Sequence, residues 1–95
     1  MKKVSVIVNC HNGEEYLEKC LNSILKQNFQ NFEIIFFDNA SNDNTKNIIK
    51  KFDDNRIKYF LSEKKLTLYH ARNKALQKSS GELIAFLDVD DWWEE

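Results

Sequence analysis

Asp88, Asp90 and Asp91 follow directly on the apolar run Leu83-Ile84-Ala85-Phe86-Leu87. A run this short, bounded by Gly81 before it and acids after it, reads as a buried strand. Carboxylates gathered at the end of a strand repel one another unless a positive charge sits among them. A divalent cation, itself held against a phosphorylated ligand, supplies that charge. The bland alternative is a solvated helix N-terminus, where acids are favourable without any metal.

Two further polar clusters have the same setting. Asn9, Cys10, His11 and Asn12 follow the apolar run that starts at Val4, and Asp38 and Asn39 follow Phe32 to Phe37. Asp38 is either a ligand residue or a turn residue. His11 reads as a wall or turn residue, Ser41 and Asp43 as helix caps, and Lys64-Lys65 as a solvated loop.

These clusters need elements to position them. Val4 to Cys10 is rich in β-branched residues and predicts a first strand. Asn12 and Glu15 have a capping-box-like spacing, and Leu17, Leu21, Ile24 and Leu25 recur at helical period, so a helix is expected to about Gln27. Phe32 to Phe37 predicts a second strand. Ile48, Ile49 and Phe52 mark a second helix with Lys46, Lys50 and Lys51 facing water. Arg56 to Ser62 alternates apolar and polar residues in the manner of an edge strand. Leu68, Ala71, Ala75 and Leu76 mark a third helix, and Glu82 to Leu87 a fourth strand. Strand and helix alternate throughout, which predicts an α/β fold with a Rossmann-like parallel sheet of about four strands and right-handed crossovers. In the order 3-2-1-4 the switch point lies between strands one and four, and all three polar clusters fall at the carboxyl rim where ligands bind.

Ninety-five residues make one domain, with 42% hydrophobic and 13% aromatic residues and a net charge of −1. That balance gives no global field favouring nucleic acid or an anionic membrane, and no apolar stretch approaches the length of a membrane span. The opening apolar run is too short for a signal peptide. Cys10 and Cys20 have neither a metal nor a redox spacing and read as reduced thiols of a cytoplasmic protein.

The ordered motifs resemble the amino-terminal half of a family 2 glycosyltransferase of the GT-A fold. A Pro-Thr-Tyr-Asn-like segment is Asn9-Cys10-His11-Asn12 here. An Asp-Asp-Gly-Ser-Thr-Asp-like turn is Asp38-Asn39-Ala40-Ser41-Asn42-Asp43. Ala71-Arg72-Asn73 is intact. The pattern Gly-Glu-x-Ile-x-Phe-Leu-Asp-x-Asp-Asp is matched by Gly81, Glu82, Ile84, Phe86, Leu87, Asp88, Asp90 and Asp91.

The resemblance implies a nucleotide-sugar donor, with a UDP-sugar foremost, and an acceptor in polysaccharide or glycoconjugate synthesis. It implies a nucleoside pocket lined by the backbone around Asn9 and Cys10. Asp38 would accept from the imide of a uracil-like base, Arg72 would lie near base or diphosphate, and Asp88 would approach the ribose. Asp90 would hold Mg2+ or Mn2+. The general base and the acceptor-binding half are expected beyond residue 95, with residues 1–95 a truncated donor-binding domain that is at best weakly active alone. Membrane association is expected of a longer protein. Asn39 replaces an acid common in the family, His11 an aromatic, and Lys65 and Thr67 stand where Asn and Gly precede Ala-Arg-Asn.

Trp92 and Trp93, together with the edge of the fourth strand, are expected to expose apolar area and drive self-association. A non-catalytic nucleotide-binding or assembly module is the alternative function. A receiver-like domain needs acids after the first strand, where this chain has Asn9 and Asn12. A haloacid-type phosphatase needs its Asp-x-Asp after the first strand, not the fourth.

Overall fold

The computed structural model describes residues 2–94. Seven elements alternate: β1 (Val4–Cys10), α1 (Leu17–Leu25), β2 (Phe32–Asn39), α2 (Thr45–Ile49), β3 (Ile57–Ser62), α3 (Leu68–Lys78) and β4 (Leu83–Asp88). The strands form one parallel sheet in the order β3-β2-β1-β4. The expected architecture is therefore present, with β3 on an edge as its alternating pattern predicts.

Strand side chains alternate between two faces, and each face has its own core. Val6, Val8, Ile34, Phe36 and Leu87 pack with Leu17, Leu21 and Ile24 of α1. Ile7, Ile35 and Phe37 pack with Ala71 and Ala75 of α3. The small side chains of these two alanines, one helical turn apart, let α3 lie close over β1 and β2. β2 is buried along its full length, as a strand covered on both faces requires.

Local departures from the sequence pattern have identifiable causes. The capping box at Asn12 does not form. Asn12 takes a positive φ of 54°, its Oδ1 accepts from Asn42 N at 2.7 Å, and its own N–H donates to Ser41 Oγ at 2.8 Å. Asn12 thus joins the β1–α1 loop to the β2–α2 loop instead of starting a helix. A turn at Gly13 fills the gap, its carbonyl accepting from Tyr16 N and Leu17 N, and α1 ends two residues before Gln27. Asp43 accepts from Thr45 N at 3.0 Å just ahead of α2, whose N-cap is Asn44 with no side-chain cap bond.

β4 is less buried than its composition predicts. Only Leu87 of its apolar residues is fully buried, and Phe86 is 46% exposed. The reason is placement: β4 is an edge strand, and α3 covers β1 and β2 instead. Trp93 departs from the expected exposure, packing partly buried against the α1-side core and donating its N–H to Ser23 Oγ at 3.0 Å. Trp92 stays exposed, with Lys19 Nζ 3.5 Å from its ring centre.

At the amino rim a buried acid joins three strands and a loop. Glu33 accepts from Ser5 Oγ at 2.6 Å and Lys58 Nζ at 2.9 Å, and from the N–H and hydroxyl of Ser80. Ser5 Oγ in turn accepts from Gly81 N at 2.7 Å. A Cβ at Gly81 would lie 2.6 Å from both the N and the Oγ of Ser5, so only glycine permits this approach.

Candidate functional site

The carboxyl ends of β1, β2 and β4 open into a cleft of about 400 Å3, whose walls include Asn9, Asn39, Leu66, Asp88 and Asp90. It lies at the switch point between β1 and β4, where the chain's crossovers diverge to either side.

Asn9 ends β1 beside Asp88 of β4 in the ladder. It is 8% exposed, and its Oδ1 has no hydrogen-bond partner among the described residues. A buried acceptor without a partner is costly, and this one is free to accept from any donor that enters the cleft. Asp88 lies 3.5 Å from Arg72 Nη2 of α3. The Arg72 Nε is also buried without a partner, and its guanidinium lies over the Phe86 ring.

Beyond Asp88 the chain turns sharply. Val89 N donates to Asn9 O, and Asp91 N donates to Asp88 O at 2.9 Å. This turn brings one carboxylate oxygen each from Asp88, Asp90 and Asp91 within 4.8 Å of one another. An all-carboxylate set with open positions suits a hard cation that keeps waters and phosphate oxygens in its shell, as Mg2+ and Mn2+ do. The donor set therefore fits the metal expected from the sequence.

The side chains of Asp38 and Cys10 do not join this group. Asp38 is 1% exposed on the opposite face of the sheet. Its Oδ1 accepts from Ser41 N at 3.0 Å and its Oδ2 from the Tyr59 hydroxyl at 2.6 Å. Strand alternation explains this, because consecutive positions look to opposite sides, so Asn39 faces the cleft and Asp38 cannot. Cys10 pairs with Asp38 in the ladder and shares its orientation. Its thiol lies 3.9 Å from both Ser41 Oγ and Thr45 Oγ1, and burial pushes it up to about 11. Burial likewise pushes the Cys20 thiol up to about 12, so both remain protonated thiols with no nucleophilic character.

Asn39, Lys65 and Leu66 are among the cleft residues to which the sequence pattern assigns no ligand role. Asn39 forms two hydrogen bonds to the main chain of Leu66. Lys65, expected in a solvated loop, lines the cleft with Leu66. The strand period was the available signal for Asn39; nothing in the local pattern signals that residues 65 and 66 fold back against β2. His11, exposed at the mouth, donates from Nδ1 to the Asn39 carbonyl at 2.7 Å.

Residues 5–95 match the model of the family described as Glycosyl transferase family 2. Over 90 residues the chain is 41% identical to the UDP-Glc:alpha-D-GlcNAc-diphosphoundecaprenol beta-1,3-glucosyltransferase WfgD of Escherichia coli, covering 95% of this chain and 36% of that protein. Its structure resembles S. aureus TarS 1–349 in complex with UDP-GlcNAc, with a TM-score of 0.85 and 36% identity over 95% of this chain and 27% of that one. It also resembles the mannosyltransferase PcManGT of Pyrobaculum calidifontis in complex with GDP-Man and Mn2+, with a TM-score of 0.91 and 26% identity over 97% of this chain and 28% of that one. The chain thus spans about a third or less of the length of these proteins.

Proposed function

The chain belongs to glycosyl transferase family 2 and has the GT-A fold, and on that premise we propose that it is the donor-binding part of an enzyme that moves a sugar from a UDP-sugar to an acceptor in cell-envelope glycan synthesis. The observation that carries this reading is the meeting, in one cleft, of the unpartnered Asn9 Oδ1 with the Asp88 and Asp90 carboxylates, beside which lies that of Asp91. The donors named for WfgD and TarS support a UDP-sugar, and the Mn2+ of PcManGT supports a metal at Asp90.

In this reading Asn9 and Asp88 receive donor hydroxyls or N–H groups of the nucleoside. Arg72 orients Asp88 and adds positive charge facing the diphosphate. Asp90, with Asp88 and Asp91, would hold Mg2+ or Mn2+, which when bound offsets the charge on the departing nucleoside diphosphate. Asp38 and Cys10 act from behind the cleft: Asp38 fixes the turn at Ser41 and anchors Tyr59, and Cys10 fills the space under that turn. No residue of the cleft is assigned as general base. A membrane-associated, cytoplasmic setting accords with the lipid-linked acceptor named for WfgD; no helix among the described residues is long and apolar enough to cross a membrane. Self-association through the exposed apolar side chains of β4 is part of the proposal.

Calorimetric titration with UDP, with and without Mn2+, tests the reading. Binding that tightens with Mn2+ is expected. Absence of UDP binding under both conditions would overturn it.

A further inference from the structure

Charge is unevenly spread along this chain. Residues 56–80, which include β3, α3 and the loop between them, carry seven of its fourteen lysines and arginines and only one of its fifteen acids, Glu63. That stretch is net +6 and the rest of the chain net −7. Arg56, Lys58 and Arg72 each face an acid, respectively Asp54, Glu33 and Asp88. Lys64, Lys65, Lys74 and Lys78 are exposed, and among the described residues none of the four pairs with an acid. Lys74 and Lys78, one helical turn apart on α3, line a groove of about 270 Å3 against β3 together with Phe37, Phe60 and Ser62. Lys78 Nζ lies 5.3 Å from the Phe60 ring centre. Ser62 Oγ donates to Lys64 O at 2.7 Å, which sets Lys64 at the carboxyl-rim end of the groove. Leu68 and Tyr69, in the first turn of α3, are 50% and 72% exposed, and Leu68 also borders the cleft.

We propose that the β3–α3 face is a docking surface for a membrane with anionic headgroups, held by Lys64, Lys74 and Lys78 and steadied by Leu68 and Tyr69 in the interface. The inference supplies a surface for the membrane-associated setting proposed above; its purpose rests on that reading, and its chemistry does not. Each lysine near an anionic leaflet adds attraction, and its aliphatic stem can lie along apolar surface while the ammonium reaches a phosphate. Lysines also guard edge strands against pairing, but Lys74 and Lys78 stand on a helix, which has no edge to guard. A nucleic-acid backbone would suit the lysines as well. The exposed Leu68 and Tyr69 on the same helix favour a partner whose interior is apolar. The net −7 of the remaining chain is repelled by such a leaflet, so the charge distribution turns this one face toward it. Because Leu68 borders the cleft, docking would leave the cleft mouth beside the bilayer, within reach of an acceptor carried on a lipid.

The test is flotation of the chain with vesicles of phosphatidylcholine alone and with vesicles containing about 30% phosphatidylglycerol, at about 0.05 M and about 0.5 M salt. Flotation separates bound chain from self-associated chain, which sinks. Wild type is expected to float with the anionic vesicles only, and to be released at the higher salt. Lys74→Gln with Lys78→Gln is expected to lower the partition coefficient about tenfold or more. Lys46→Gln with Lys50→Gln, which removes the same charge from the opposite face, is expected to stay within about twofold of wild type. UDP affinity of the Lys74/Lys78 variant is expected to match wild type, since neither residue lines the cleft.

No flotation of wild type with anionic vesicles at low salt, or equal losses in the two double variants, would overturn the proposal. So would a chain that binds a DNA duplex in the same buffer and ignores the vesicles. If the Lys74/Lys78 variant fails to fold, wild type alone decides. Gadolinium-bearing headgroups in the anionic vesicles should then broaden the amide signals of Tyr69, Lys74 and Lys78 and spare those of Lys46 and Lys50; uniform broadening or the reverse pattern overturns the surface. Wild-type failure to bind UDP would remove the donor-binding reading and the purpose of the docking, while flotation would still report the surface itself.

Discussion

Asp38 and Asp88 end at the same rim of the sheet and look away from each other. Asp88 stands beside Asn9 in the ladder and Asp38 beside Cys10. Asn9 and Cys10 are consecutive, so the two acids leave opposite faces. One carboxylate enters the cleft. The other is enclosed by Ser41 and Tyr59.

The enclosed acid acts on stability first. Burial, then the hydrogen bond and charge of Asp38, push the Tyr59 hydroxyl well above its ordinary range, which keeps it a donor. A double-mutant cycle with Asp38→Asn and Tyr59→Phe is expected to give a coupling of about 1.5–3 kcal/mol in urea unfolding. The Tyr59→Phe chain should bind UDP within about twofold of wild type, since Tyr59 is not in the cleft. Coupling near zero would show that the 2.6 Å contact contributes nothing.

Asp90 is expected to act on ligand binding alone. It is exposed, and Asp90→Asn should leave the unfolding midpoint nearly unchanged, within about 0.5 kcal/mol. The same variant should lose most of the Mn2+-dependent gain in UDP affinity, on the order of tenfold or more. Calorimetry with and without Mn2+ measures this directly; an undiminished metal effect would remove Asp90 from the site.

Glu33 should contribute strongly to the acid side of the stability profile. Burial raises its carboxyl, but the bonds from Ser5, Lys58 and Ser80 outweigh that and hold it near about 2, against an ordinary 4.5. A depressed native value means the unfolded chain binds the proton first. The contribution is complete above about 4.5 and disappears as pH falls toward about 2. Allowing for the half-exposed lysines around it, the contribution is on the order of 2–3 kcal/mol. Urea unfolding of Glu33→Gln across this window should show a flatter profile than wild type. Parallel profiles would refute the assignment.

The uncovered face of β4 should make the chain associate. Ile84 and Phe86 are exposed on that face and Leu83 on the other, on a strand with one unpaired edge. Sedimentation equilibrium is expected to show concentration-dependent mass growth, which Phe86→Lys should suppress. A strictly monomeric wild-type chain at high concentration would rule this out.

Much of the fold was legible because the apolar runs are short, separate and closed by polar residues. Val4 to Val8 and Phe32 to Phe37 state their strands plainly, and the acids after Leu87 mark the rim. What was not legible depends on contacts between distant segments. Asn12 caps no helix because Asn42 and Ser41 compete for it from another loop. The composition of β4 suggests burial, but its exposure follows from where α3 lies. Asp38 drew attention as an acid, yet which of two neighbouring residues faces a ligand is set by strand phase, and Asn39 declares its role only through Leu66, which lies 27 residues away.

The glutamate at the far rim bears on the acids that close β4. Ser80 and Gly81 are pinned to Glu33 and Ser5 just ahead of β4, and Asp88 closes the same strand. A slip of one residue along an edge strand reverses every side chain on it. Such a slip would turn Asp88 toward α1 and leave Arg72 without its acid. The pin at the opposite end therefore works as a zero mark on a ruler, fixing from a strand's length away which side of the sheet the carboxylates serve.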